Sequence, residues 1–341
     1  MTPGTENPPL RVLQSFPEPR RTTNPYVVQL RRTLDALPAV DLRTFTWRRA
    51  VLGRYDVLHV HWPEILLDAR TPARVMRRRI LFLLLLLRLG VTRTAVVRTV
   101  HNLRPHDGVS RVDAALLGRL ERRARVCIRL NDETPVPPGT QAITVLHGHY
   151  RDWYSGYRVP EPTPGRVAFV GLIRPYKHVD GLVAAFRDTA DVAPGARLHV
   201  AGGTSSDGIA ERLQTAAAQD SRITLTLRFL EDAELVEAVG RAQVVALPYR
   251  EMHNSGAALL ALSLGRPVLV PSNATNARLA AEVGADWVQL YEGELTPGAI
   301  LRALDRTARI RPGACPDLGA REWAPAGLRH LEAYRMARRS R

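Results

Sequence analysis

Lysine is almost absent from this chain. Of its 48 basic residues one is a lysine, Lys177, and the remaining 47 (48 less one) are arginines. The position where a compact ammonium on a flexible stem replaces the planar guanidinium fork is therefore singled out by composition alone. Cysteine is nearly as scarce. Cys127 and Cys315 are too few and too far apart for a disulfide framework or a cysteine-based metal site. Aromatic residues make up 6% and are not interleaved with the basic ones, which argues against a stacking platform for nucleic acid. Residues 1–25 are proline-rich and polar, with no apolar core of a secretory leader, so the protein is expected in the cytoplasm. Residues 80–87 form the longest apolar run, at roughly 12 Å of helix far short of a ~30 Å hydrocarbon layer.

Charge is plentiful, and it is uneven. Residues 1–165 hold 26 arginines and 14 acids, a net of +12, while residues 166–341 hold 22 basic residues and 19 acids, a net of +3. A half this basic suits an anionic partner such as a lipid surface or a phosphorylated acceptor. Residues 74–88 concentrate the tendency: Arg74, Arg77, Arg78 and Arg79 abut the apolar run, and Arg88 follows it. That pattern fits either a core helix with a basic first turn or a helix lying on anionic headgroups.

Apolar strands alternate with amphipathic helices along the chain. The spacing predicts strands over 10–15, 40–45, 56–60, 94–100, 125–130 and 141–146, with helices over 26–37 and 111–125. A second series follows, with strands over 167–170, 197–201, 223–229, 244–247 and 268–270 and helices over 180–190, 207–219, 232–240 and 256–264. This gives an α/β chain of two doubly wound, Rossmann-like domains facing a cleft. The expected boundaries are 1–160, a linker 161–166, a second domain 167–316, and a helix 317–341 packing back across the boundary.

Ligand sites in such sheets gather at the carboxyl ends of strands. The stretch VAFVGLIRPYKHVD, residues 167–180, delivers Gly171, Arg174 and Lys177 from a buried strand to a helix N-terminus, an arrangement suited to phosphate. Gly203 closes the next strand. Glu251, Asn254, Ser255 and Gly256 lead into another helix and offer a second anion cradle. In the first half, His61 and Glu64 follow one strand, and His101, His106 and Asp107 follow another. Asp107, His101 and Glu64 are the candidates for taking a proton from an acceptor hydroxyl. His61, His106 and the pair Thr23 and Asn24 are candidate acceptor contacts, although the last two read equally as a helix cap before Pro25. His101 and His106 straddle a proline with only Asp107 nearby, so no metal site is expected.

Taken together, VGLIRPYKHVDGLVAAF, LHVAGG and GAALLALSLGRPVLVPSN resemble, in order, the donor-binding segments of GT-B glycosyltransferases of the family 4 kind. The resemblance covers residues 165–275. It implies a nucleotide-sugar donor with Arg174 and Lys177 on its diphosphate, residues 251–256 on diphosphate and sugar, and no required metal or other cofactor. The two glutamates of family 4 fall here on Met252 and Leu260; Glu251 is one residue from the first, and nothing replaces the second. HVHWPE, TVHN and HNSGAALLALSLGRP are more similar to bacterial exopolysaccharide mannosyltransferases that use GDP-mannose and a glycolipid. That resemblance implies an inverting transfer of mannose onto a lipid-linked or polysaccharide acceptor, at the inner face of the plasma membrane. A retaining UDP-sugar transferase, a sugar-nucleotide epimerase and a non-catalytic basic binder remain the alternatives.

Overall fold

The computed structural model describes residues 8–102 and 109–339. The chain forms two compact units, one of residues 1–148 with 321–341 and the other of residues 149–320.

The first unit opens β1 (Leu10–Gln14), α1 (Pro25–Asp35), β2 (Val40–Arg43), α2 (Trp47–Leu52) and β3 (Val57–Val60). It continues through α3 (Pro72–Val91), β4 (Ala95–Val100), α4 (Arg111–Glu121), β5 (Ala124–Arg129) and β6 (Gln141–Thr144). The six strands are parallel in the order β2-β1-β3-β4-β5-β6. The inner strands β1, β3 and β4 are mostly buried, as the helical crossovers of a parallel sheet require, while the edge strands β2 and β6 are partly exposed. α1 begins as its sequence dictates: the Asn24 side chain accepts the Tyr26 N–H at 3.0 Å, with Pro25 at the first helical position.

The second unit contains α5 (Arg151–Tyr154), β7 (Arg166–Val170), α6 (Val179–Arg187), β8 (Arg197–Ala201), α7 (Asp207–Ala217) and β9 (Ile223–Thr226). After these come α8 (Asp232–Gly240), β10 (Val244–Ala246), α9 (Gly256–Ser263), β11 (Val268–Pro271), α10 (Ala274–Val283), β12 (Val288–Tyr291) and α11 (Pro297–Thr307). This sheet is also parallel, in the order β12-β11-β10-β7-β8-β9. β7 and β11 are almost wholly buried.

The chain then returns to the first unit as α12 (Trp323–Arg339), which packs on α1, β4 and β5. Gly148 admits this return, since a Cβ there would stand 2.4 Å from the Trp323 ring. Two doubly wound parallel sheets match the α/β expectation. The helices are shorter than periodicity suggested at 111–121 and 179–187, and α2, α10, β12 and α11 carried no motif that marked them.

Candidate functional site

In a doubly wound sheet, ligands bind beyond the carboxyl ends of strands where the order reverses. In the second unit that place lies between β7 and β10, because β8 and β9 extend to one side of β7 and β11 and β12 to the other side of β10. The segment after β7 carries Gly171, Arg174 and Lys177, and the segment after β10 carries Glu251, Asn254, Ser255 and Gly256. The two predicted phosphate cradles thus flank one reversal point.

Backbone hydrogen bonds fix their spacing. The Arg250 N–H donates to Tyr176 O at 3.0 Å and ties the two segments together. On the far side the Ile173 N–H donates to Gly203 O at 2.7 Å, and Ser205 N–H to Ile173 O at 3.0 Å. Asn273 Nδ2 donates to Met252 O at 3.0 Å and holds the second segment from β11's end. The residue that closes this packing is Gly202 rather than Gly203. A Cβ on Gly202 would lie 2.0 Å from Gly171 O, whereas one on Gly203 would meet nothing nearer than 3.8 Å.

Lys177 is half-buried, its ammonium 4.9 Å from the Tyr249 ring centroid and 5.9 Å from that of Phe169. A compact cation seated against two ring faces suits lysine better than the broader arginine fork. Burial, helped by the charge of Arg174, pushes its pKa down to about 8. It is therefore still a cation at neutral pH, poorly hydrated and favourably disposed to an anion. α9 supplies the other half of the cradle. Ser255 caps it, its Oγ accepting the Ala258 N–H at 3.2 Å, and the helix offers its first-turn N–H groups beside Gly256.

Glu251 is exposed, while Met252 and Leu260, the positions of the absent family 4 glutamates, are buried. Glu294, which carried no sequence signal, accepts from His178 Nε2 at 2.8 Å and lies 3.6 Å from Arg250. His178 sits at φ 48° between the lysine turn and α6 and also faces Asp180 at 3.3 Å. These contacts pin the lysine segment to the end of β12.

The first unit reverses its order between β1 and β3, and here the strand ends carry Gln14 and His61. His61 Nε2 lies 3.0 Å from Gln14 Oε1, and His61 Nδ1 lies 3.0 Å from His101 Nε2. An amide oxygen only accepts, so His61 carries its proton on Nε2 and presents a lone pair at Nδ1. His101 must then donate from Nε2, which leaves the lone pair of that ring on Nδ1. Gln14 Nε2 in turn donates to the Tyr334 hydroxyl at 3.2 Å, which also meets His59 Nδ1 at 2.8 Å. His59 Nε2 is 2.7 Å from Thr99 Oγ1. The His101 ring stacks on Trp62 with centroids 3.8 Å apart.

Burial is the first cause holding His59, His61 and His101 well below the ordinary imidazole range. The other histidines and the nearby Arg98 guanidinium add to it. His147 and His330 are likewise pushed down to about 4 by burial. The cluster is neutral at physiological pH. Arg98, bonded to the His61 and Thr99 carbonyls, is offset by the charges of Glu121 and Glu64.

Glu64 itself lies half-buried in a 3₁₀ turn, Pro63–Leu66, just beyond β3. Thr23 Oγ1 accepts the Arg20 N–H at 2.8 Å, and the Asn24 side chain is occupied by its cap, so both serve the turn before α1. His106 and Asp107 lie outside the described residues. Sequence reasoning missed Gln14, His59, His330 and Tyr334. The last two are four apart on α12 and point their polar tips into the core, the one signal that was available.

Residues 164–303 match the family described as glycosyl transferases group 1. Over 98% of its length the chain is 43% identical to a GDP-mannose:glycolipid 4-β-D-mannosyltransferase of Xanthomonas campestris pv. campestris, covering 94% of that protein. Solved structures share the fold at low identity. Sucrose-phosphate synthase from Thermosynechococcus elongatus gives a TM-score of 0.58 at 15% identity, over 96% of both chains. Anabaena HepE, in complex with UDP and glucose, gives 0.56 at 12%, over 97% of this chain and 98% of that one. A glycosyltransferase of avilamycin A biosynthesis gives 0.54 at 17%, over 98% and 99%. The architecture is that of GT-B glycosyltransferases, and the chain belongs to the group 1 glycosyltransferases, in the family of the Xanthomonas mannosyltransferase.

Proposed function

We propose that this glycosyltransferase moves mannose from GDP-mannose onto a hydroxyl of a glycolipid, with inversion at the anomeric carbon, in the assembly of an exported polysaccharide. The likeness to a named mannosyltransferase along nearly the whole chain carries the choice of donor and acceptor. Lys177 and the α9 N-terminus, on either side of the strand-order reversal, carry the choice of diphosphate as the group held.

In this reading the anomeric C–O bond breaks with its electron pair going to the β-phosphate oxygen of GDP. Arg174, Lys177 and the first-turn amides of α9 stabilise that growing charge, the part a divalent ion plays elsewhere, so no metal is required. The acceptor oxygen forms the new bond from the opposite face, and its proton passes to a base drawn from Asp107, His101 and Glu64. A lipid-linked acceptor places the reaction at the cytoplasmic face of a membrane.

Thermal unfolding with GDP, UDP, GDP-mannose and UDP-glucose in parallel tests the donor. A ligand at 100 times its Kd adds about 2.7 kcal/mol, roughly 2–4 °C per kcal/mol in domains of this size. The guanine ligands should raise Tm and the uracil ones should not. A uracil-only shift would overturn the donor, and an α-linked product by NMR would overturn the inversion.

A further inference from the structure

Helix α3 is apolar on two opposite sides. Its inner side, Phe82, Leu85, Leu86 and Leu89, is buried in the core of the first sheet. Its outer side presents Met76, Ile80, Leu83, Leu84, Leu87 and Val91, each between 42% and 78% exposed. At 3.6 residues per turn these six fall within an arc about 100° wide, one unbroken stripe. Single exposed leucines are ordinary on a protein surface; a continuous stripe marks something that covers it. Leu52, at the end of the neighbouring α2, is 77% exposed as well.

The charge around this stripe is of one sign. Between Asp68 and Asp107 the sequence has no acid, and it has nine arginines. Four of these are held by the fold: Arg79 pairs with Asp113 at 2.8 Å, Arg78 bonds the carbonyls of Ile65 and Asp68, Arg88 bonds Gly53 O and covers the Tyr55 ring, and Arg98 bonds the carbonyls of His61 and Thr99. Arg70, Arg74, Arg77 and Arg93 are exposed near the two ends of the helix. Among the described residues no helix is long and apolar enough to cross a membrane. An apolar stripe in α3 flanked by cations instead suits a helix lying in the plane of a bilayer, its side chains at the acyl boundary and its arginines on the phosphates. A second copy of the chain is a poorer occupant. A two-fold contact would bring the same stripe and the same arginines face to face, with no acid on α3 to answer them.

We propose that the outer face of α3 docks on an anionic lipid bilayer, anchored by Leu83, Leu84, Leu87 and their neighbours and by Arg70, Arg74, Arg77 and Arg93. The docking needs no sugar nucleotide, so it stands or falls apart from the donor reading. The test is co-sedimentation of the full chain with phosphatidylcholine vesicles, with and without phosphatidylglycerol. Three proteins are compared: wild type, Leu83→Gln/Leu87→Gln and Arg74→Ala/Arg77→Ala.

Wild type should bind the anionic vesicles and not the neutral ones. The leucine pair should bind at least tenfold more weakly, and the arginine pair about 30-fold more weakly, at about 1 kcal/mol per arginine. Both variants should keep the wild-type Tm and nucleotide affinity, because the altered side chains are exposed. Equal binding to neutral vesicles, no binding by wild type, or full binding by the leucine pair would overturn the proposal. So would a wild-type dimer that the leucine pair splits into monomers.

Discussion

In the first sheet the strand order reverses between β1 and β3, and the space beyond the strand ends is filled by Gln14, His61, His101 and the rings around them, all buried and neutral. In the second it reverses between β7 and β10, and the same place holds a half-buried lysine and the open end of a helix. The topology is equivalent and the electrostatics are opposite. A parallel sheet guarantees a crevice at its reversal but does not decide what the crevice does. Where side chains answer one another's hydrogen bonds, the crevice becomes a rigid part of the core with one tautomer imposed on it. Where a cation has lost water and gained only ring faces, the crevice keeps a preference for an anion.

Acid should break this contrast most visibly. His147 and His330 are held near 4 in the folded first unit, below their ordinary 6.5. The unfolded chain therefore binds more protons between those values. The stability these two rings contribute is full above 6.5 and is lost as pH drops through 4, roughly 3 kcal/mol for each. Hydrogen exchange followed from pH 7 to 4 should show the first sheet losing protection well before the second; simultaneous loss would contradict the neutral cluster.

Lys177→Ala should act on the other side of the comparison. We expect kcat/KM to fall by about 10²–10³, on the scale of removing one preorganised charge-stabilising group, with the first unit's exchange protection unchanged. Unaltered kinetics would remove Lys177 from the diphosphate. Gln14→Leu is the converse test. It strips partners from His61 and the Tyr334 hydroxyl inside the core and should cost about 1–3 kcal/mol of stability. Nucleotide affinity in calorimetry should not change, and a loss there would blur the division of labour. The smallest effect is the pH dependence of that affinity. With Lys177 titrating at about 8 in the free protein, nucleotide Kd should rise as pH passes 8, and Lys177→Ala should flatten the rise.

The sequence exposed the second reversal more fully than the first. Lys177 stood out because it is alone among arginines, and Ser255-Gly256 because a capping residue ahead of an apolar run has one local meaning. Both depend on neighbours in the chain. The tie between Arg250 and Tyr176, and the reach of Glu294 to His178, join segments far apart in sequence and left no local trace. His61 and His101 were visible as polar residues ending apolar strands. Their hydrogen bond follows only from the pairing of β3 with β4, which sets Val60 opposite Arg98 and carries the next residues forward together. Gln14 read as an ordinary strand residue, because nothing nearby announces that α12 brings Tyr334 to it.

That last helix also has a consequence for how the molecule is made. α12 is integral to the sheet whose other elements end at Gly148, yet it leaves the ribosome after the intervening 172 residues (149 to 320) have been translated. During that interval the nascent first sheet has its strands and α1 in hand but an open flank where His59 and Gln14 wait for Tyr334. The second unit, continuous in sequence, can close while it waits. Translation thus assigns an order to two halves that look equal in the finished protein. A chain stalled before residue 321 would have its second unit complete and its first unit still open where α12 belongs.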